Sequence, residues 1–525
     1  MKNARLQTII LFLGIVAILA LPLSRPPKSQ AIPAFARQYG TSCSTCHSDF
    51  PKLNDFGRAF KDAGFKFPKD DESMIKTPPV MLGAPAQSEM WPRVVWPGTI
   101  PGLPPIGLRM NSFFQTVSAN RGAPNAALLP GATPPFFTPR TDFQTGLFSI
   151  FTAGNFGSGI AFWVDDDLSV AGANSNGGLG DGYLKFVDVG RFLHLPTDAL
   201  SLRVGQFELD LPFSPARSYN LSGWDVFDQT NIGVVGMGNV ANNFAFSTPG
   251  QGIEISGGHL YRGYHYSFAV INQNTSGAPP NDPGFVGAQT AFSSDANFKD
   301  LYGRFSYRFN LERDPESRNA IQAAGAAGPR DHTFINLGTF YFYGRSVQRF
   351  SGLFPGTLNP TVLTAREPFY RVGGDFNFNY RAFNLYGVIV YGRDHNLIPV
   401  DDLLNPFPAV PTHFLRGTPV TYTGGFLQAD YMPYPWMMLI MRYDAVNSTS
   451  DRLNALLDET GTFPGAFNST RNRFTPGAQF LIRANIKASV EYQVRPRQTV
   501  IDAVSGLPIP AFRTNNLVVG LEFVY

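Results

Sequence analysis

Long hydrophobic runs are missing from all but the first residues of this 525-residue chain. Past Leu23 no uninterrupted apolar stretch approaches the roughly 20 residues that a helix needs to cross a bilayer core. Any membrane crossing is therefore left to strands closed into a barrel, the other structure that satisfies its own backbone in lipid. Charge is also scarce: Asp, Glu, Lys and Arg make up 15%, against roughly 25% in soluble domains. The formal net charge is +3 with no dense Lys/Arg run, so nucleic acid is excluded as a partner. The seven histidines are scattered, and no catalytic constellation stands out. Cysteine is rarest of all, with Cys43 and Cys46 the only two. A structural zinc site would need further Cys or His at ligand spacing, and the histidine after His47 is His194. A thioredoxin-like pair would need a surrounding βαβ pattern, which is not there.

What is present begins with an export signal. Lys2 and Arg5 precede the apolar run Ile9 to Leu23, and Ser29-Gln30-Ala31 offers a small-x-small cleavage site, so residues 1–31 read as a signal peptide. The apolar run is too short for a bilayer anchor, and no cysteine lies at its end to take an acyl chain. Soon after comes Cys43-Ser44-Thr45-Cys46-His47, a C-x-x-C-H pentapeptide. In an exported chain this pattern reads as a covalent attachment site for one haem c, two thiols joining the porphyrin vinyl groups and His47 supplying the proximal imidazole to the iron.

The flanks of the pentapeptide are small. Pro51 suits an early helical position after Ser48 or Asp49 as cap, and Leu53, Phe56, Phe60 and Ala63 then share one apolar face. That face packs either on a porphyrin or on protein. From Thr77 to Pro105, eight prolines rule out a continuing helix, which makes residues 78–105 an extended linker behind a haem segment at 32–77. One short helix buries too little surface to enclose a haem, so the rest of the protein must contribute the enclosure.

From Ile106 to Tyr525 the texture changes to segments near ten residues long that alternate in polarity between Gly, Pro, Asn and Ser clusters. Over Tyr370 to Tyr380, one face carries Tyr370, Val372, Gly374, Phe376, Phe378 and Tyr380, and the other carries Arg371, Gly373, Asp375, Asn377 and Asn379. Sixteen such segments are countable, the first at 106–118, the ninth and tenth at 332–344 and 367–380, and the last at 514–525. Their connections alternate between short and long, as in barrels with periplasmic turns and external loops, and this phase sets both termini in the periplasm. The long stretch Asn310 to Asp331 falls on the short-turn side and breaks the rule. The final strand carries Leu517, Val519, Leu521, Phe523 and Tyr525 on one face. The fold expected is all-β, an antiparallel transmembrane barrel of about sixteen strands with a small helical haem segment as its plug. A soluble sandwich would not account for so many amphipathic segments with alternating loop lengths.

The stretch Pro33-Ala34-Phe35-Ala36-Arg37-Gln38, the C-x-x-C-H pentapeptide and Phe56-Gly57-Arg58 together resemble the fused monohaem cytochrome and porin proteins of the bacterial outer membrane, known from iron-oxidising bacteria. The local likeness covers residues 32–67; over the barrel it is architectural, apart from a porin-like Gly205-Gln206-Phe207 followed by Leu211-Pro212-Phe213. The resemblance implies a one-electron conduit, with Cys43 and Cys46 as attachment residues and His47 as proximal ligand. Its donor would be extracellular, typically Fe(II), and its acceptor a periplasmic c-type cytochrome. The motif leaves the sixth iron ligand open. Met74, Met81, Met90 and Met110 are the candidates, and Met81 is favoured because it lies in the linker that must fold back over the haem.

Lesser features are the acidic Asp165-Asp166-Asp167, the loop groups Asp394-His395 and Asp401-Asp402, and a set of charges on inward faces: Arg203, Arg304, Arg308, Arg371, Asp375, Asp430, Arg442 and Asp444. Charged inner walls occur in any porin. The same barrel would also serve as a diffusion porin with a haem-bearing plug, or as a conduit for outward electron flow to an extracellular acceptor.

Overall fold

The computed structural model describes residues 34–49, 52–67, 71–94, 98–100, 102, 104–117, 140–156, 159–170, 178–214, 218, 220–228, 249–272, 298–311, 333–353, 360–394, 397–400, 413–416, 419–448, 466–467, 471–483, 485–494, 498–501, 508–511 and 515–525. The signal segment 1–31, His395, Asp401 and Asp402 lie outside them.

Sixteen antiparallel strands close into one barrel, in chain order around the ring. They are β1 (Ile106–Val117), β2 (Arg140–Asn155), β3 (Ile160–Val170), β4 (Gly178–Phe186), β5 (Ser201–Phe207), β6 (Gly250–His259), β7 (Arg262–Ile271) and β8 (Asp300–Asn310), followed by β9 (Phe334–Leu353), β10 (Pro360–Tyr380), β11 (Phe383–Asp394), β12 (Val420–Tyr434), β13 (Met437–Ser448), β14 (Arg471–Arg483), β15 (Ile486–Gln493) and β16 (Asn516–Val524). The seam joins β16 to β1, with Phe523 opposite Met110 and Glu522 opposite Asn111. Each strand coincides with one amphipathic segment of the sequence, because a polar-in, apolar-out wall needs the period-two alternation that the sequence displays. One hairpin departs in length: β9 and β10 stay paired out to Leu353 and Pro360, where a long loop is expected after residue 344. Nothing in a strand pattern stops pairing at the membrane surface.

The two faces of the wall differ in polarity. Val372, Ile389, Leu427, Leu439, Met441, Tyr443 and Leu521 point outward and stay exposed, while Arg371, Asp375, Asp430, Arg442 and Asp444 point inward and are buried. Burial of the inner face means that the lumen is filled. Two insertions fill it. The described part of the β5–β6 connection, within residues 208–228, folds into the barrel and carries Leu209, Leu211, Phe213, Trp224, Val226 and Phe227 against Tyr302, Tyr386, Phe426 and Ile440. At the end with short turns, the N-terminal segment packs Tyr39, Phe60 and Phe65 against Ala153 and Ala161 of the wall. Trp163 touches both groups.

The stretch between segment and barrel is more folded than an extended linker. Val80–Met81 pairs with Thr99–Ile100, and a helix runs over Pro85–Met90, where Pro85 sits at a first-turn position that needs no amide hydrogen. Eight prolines forbid one long helix but allow this short one.

Candidate functional site

The N-terminal segment is built from two helices around the pentapeptide. Helix α1 (Ala34–Tyr39) ends at Gly40, and Thr41 bonds Thr45 across 2.6 Å between hydroxyls, fastening the helix end to a 3-10 turn at Cys43–Thr45. Cys46 N–H closes that turn on the Cys43 carbonyl at 3.2 Å, so the two thiols share one turn of chain. His47 follows in a short strand, His47–Asp49, paired with Lys52–Leu53. Helix α2 (Asp55–Asp62) begins later than its sequence suggests. Its cap is Asn54, not Ser48 or Asp49, and Leu53 lies before the helix instead of on its apolar face.

Asn54 wins because it satisfies three groups at once. Its side chain accepts from Gly57 N–H at 2.9 Å and donates to the Thr45 carbonyl at 3.1 Å, while its own amide donates to the Cys46 carbonyl at 2.9 Å. The start of α2 is thereby tied to the end of the cysteine turn. Gly57 permits the approach: a Cβ there would stand 2.1 Å from the Cys46 carbonyl oxygen. Gly57→Ala is expected to push α2 off this turn and cut hydrogen-exchange protection over residues 55–62 at least several-fold.

Phe60 on α2 meets Phe35 at 5.0 Å, Tyr39 at 5.7 Å and Phe67 at 5.9 Å between ring centroids, and Phe56 meets Phe67 at 5.2 Å. The apolar face of α2 therefore packs on protein. Tyr39 donates its hydroxyl to Asp71 at 2.7 Å; burial first, then the Asp71 carboxylate, holds that phenol well above its ordinary range.

Polar contacts seat the segment across the short-turn end of the barrel. Asp55 pairs with Arg308 of β8 at 2.8 Å, and the guanidinium of Arg308 lies 3.5 Å from the Phe334 ring centre. Asp62 accepts from Leu260 N–H at 3.0 Å, and Asn155 donates to the Phe65 carbonyl at 3.4 Å. Arg37 donates to the Ile106 carbonyl and covers the ring of Tyr525 at 5.0 Å. The seven other inward charges named from the sequence make different contacts: Arg203 pairs with Glu254 at 2.5 Å and Arg304 with Asp375 at 3.0 Å, for example.

The donor set at the turn fits a covalent haem. Both thiols are free and half-buried, and burial pushes the Cys43 thiol up to about 11 and the Cys46 thiol up to about 12. Such a site disfavours thiolate, whereas a thioether is neutral and loses nothing there. His47 adds an imidazole adjacent to Cys46. The methionines are less well placed. Met74, Met81 and Met90 are exposed, and among the described residues none joins the aromatic cluster. Met81 sits in a hairpin that folds on itself, with Leu82 N–H on the Gly98 carbonyl at 3.0 Å. Met110 lies opposite the outward Phe523, whereas its neighbour Arg109 faces in and bonds Glu522 at 2.8 Å. The barrel wall separates Met110 from the segment.

A second constellation lies deeper in the lumen and was not legible as a unit. Arg442 and Arg473 converge on Asp444 at 2.9 and 3.3 Å, and Arg473 also pairs with Asp225 of the inner loop at 2.9 Å. Arg442 donates to the Ser222 carbonyl at 2.8 Å, Glu491 accepts from Leu221 N–H at 2.6 Å, and Trp224 donates to Gln428 at 3.2 Å. At the other end Asp210 accepts from Ser267 at 2.9 Å and bonds His265 at 3.0 Å. The loop is pinned across the barrel from β7 to β15. Asp444 and Arg442 stand out in the sequence as inward charges, but Asp225 and Asp210 occur in a loop with no periodicity. Gly205 and Phe207 mark the loop's root: Phe207 is fully buried under Arg203, and Gly205, at φ +136°, has no room for a side chain.

The chain matches no protein-family model and no curated protein sequence. Among solved structures it is similar to the outer membrane channel DcaP of Acinetobacter baumannii, with 9% identity, a TM-score of 0.43, and 80% of this chain aligned to 97% of that one. It is also similar to the anion-selective porin from Comamonas acidovorans, with 10% identity, a TM-score of 0.42, and 81% of this chain aligned to 99% of that one. The barrel assignment rests on the strand pairing itself.

Proposed function

We propose that this protein is an outer-membrane barrel whose N-terminal plug carries one haem c and transfers single electrons across the membrane, taking them from an extracellular donor such as Fe(II) and handing them to a periplasmic c-type cytochrome. The observation that carries this reading is the cysteine turn, with its adjacent imidazole, seated in a segment that spans one mouth of a closed barrel. Bound there, haem supplies a one-electron iron couple. The chain's own part is to attach it through Cys43 and Cys46, to present His47, and to keep the segment in place through Asp55, Asp62 and Arg37. The apolar outer wall and polar inner wall support a position in the membrane.

The barrel taken alone supports a second reading, a diffusion porin with a haem-bearing plug, because sixteen strands with polar inner faces are porin architecture. Purified protein with its covalent haem separates the two. Electron transfer predicts reduction of the haem by Fe(II), followed by absorbance, with a clearly positive potential, and little steady current in planar bilayers. A large steady current from haem-loaded protein, with no reduction by Fe(II), would establish the porin reading instead. A negative potential would point to outward electron flow.

A further inference from the structure

Gln38 is the last residue but one of α1, and it is buried to 6% exposure. Its backbone carbonyl accepts from Lys76 N–H at 2.8 Å, but its side-chain Oε1 has no hydrogen-bond partner in the chain. The Ser48 hydroxyl, next to His47, is likewise buried and unpartnered. Buried polar atoms are rarely left so, because each loses its bonds to water and gains none in return. Both atoms flank the same feature. Gln38 is joined to the cysteine turn through Gly40 and the Thr41–Thr45 bond, and Ser48 follows directly on its end. The aromatic rings of the segment satisfy one another and leave these two groups without a use.

We infer that Gln38 and Ser48 are polar contacts to the haem, and that they receive a propionate carboxylate. The inference rests on the haem reading above. A carboxylate accepts hydrogen bonds only, and both residues can donate: Ser48 through its hydroxyl, and Gln38 through its amide N–H groups once the amide turns by 180°, since its oxygen and nitrogen ends are equivalent in shape. The buried end of the amide is then a donor without a partner in the chain. Burial makes such a bond count, because water does not compete for either partner.

The test uses the full chain carrying its covalent haem, with Gln38→Leu, Ser48→Ala and a haem-free Cys43→Ser/Cys46→Ser background. In haem-loaded protein, Gln38→Leu is expected to shift the propionate bending band in resonance Raman spectra and to lower the reduction potential, because an uncompensated carboxylate favours the ferric state. Ser48→Ala should act in the same direction. In the haem-free background, Gln38→Leu should leave hydrogen-exchange protection of residues 34–67 unchanged or raised, since it removes an unpaired polar group. Equal loss of protection with and without haem would overturn the inference, giving Gln38 a structural role. An unchanged propionate band and potential in haem-loaded Gln38→Leu would also overturn it while leaving the haem reading intact. Absence of covalent haem from the wild-type chain, measured as the pyridine haemochrome, would sink both together.

Discussion

Cys43→Ser/Cys46→Ser is expected to abolish covalent haem completely while leaving the barrel closed. Each thioether needs the sulphur of its own cysteine, and no other cysteine exists to substitute. Denaturing gels stained for haem, beside heat-modifiable migration of the barrel, separate the two effects. Any residual covalent haem would mean that attachment does not run through this turn. A pH dependence follows from the same site. Burial raises both thiols, to about 11 and about 12, so the folded segment holds their protons more tightly than the unfolded chain. A raised thiol contributes stability that is full below its unfolded value, near 9, and is lost as pH rises through the folded values. The haem-free wild-type segment should therefore loosen between about pH 9 and 12. The haem-loaded segment, with neutral thioethers, should not show this loss, and hydrogen exchange at residues 34–67 reads the difference.

The second large effect is expected at Asp444. Its side chain is fully buried between Arg442 and Arg473 and also accepts from Asp225 N–H at 3.2 Å. Asp444→Ala leaves two guanidinium groups without their shared anion, a loss of order 3–5 kcal/mol for a broken buried pair. Arg473 keeps Asp225 at 2.9 Å, which still fastens the loop to β14. The loop keeps its other ties, Arg442 to the Ser222 carbonyl among them, so it should loosen against β13 and β14 without leaving the lumen. The unfolding midpoint in denaturant should fall, and planar-bilayer current should rise but stay short of open-channel levels. An unchanged current with an unchanged midpoint would show that the clamp does not hold the loop. Asp444→Asn, which preserves shape and some hydrogen bonding, should lie between.

The barrel was largely written in local pattern. Tyr370 to Tyr380 alternates residue by residue, and since one side chain in two faces out of the barrel, the pattern names both the strand and its inner face. The C-x-x-C-H pattern is legible for a similar reason, because Cys43, Cys46 and His47 stand within five residues and need no tertiary contact to be recognised. The start of α2 was not, because Ser48, Asp49 and Asn54 are all competent caps. What chooses Asn54 is the carbonyls of Thr45 and Cys46 brought beside it. The extension of β9 and β10 is not legible either, since pairing continues there without the alternation of the wall.

Local spacing of residue types is enough for a strand-built wall with an apolar outside, for the number of its strands and for the C-x-x-C-H pattern, because each is a matter of residue type over a few positions. Long-range contacts place α2 on aromatic side chains, turn Met110 away from the plug, and bring Asp225 and Asp444 together across the lumen. Those depend on contacts between residues far apart in the chain. Such contacts form only once closure of β16 on β1 turns one face of every strand toward a common, crowded interior.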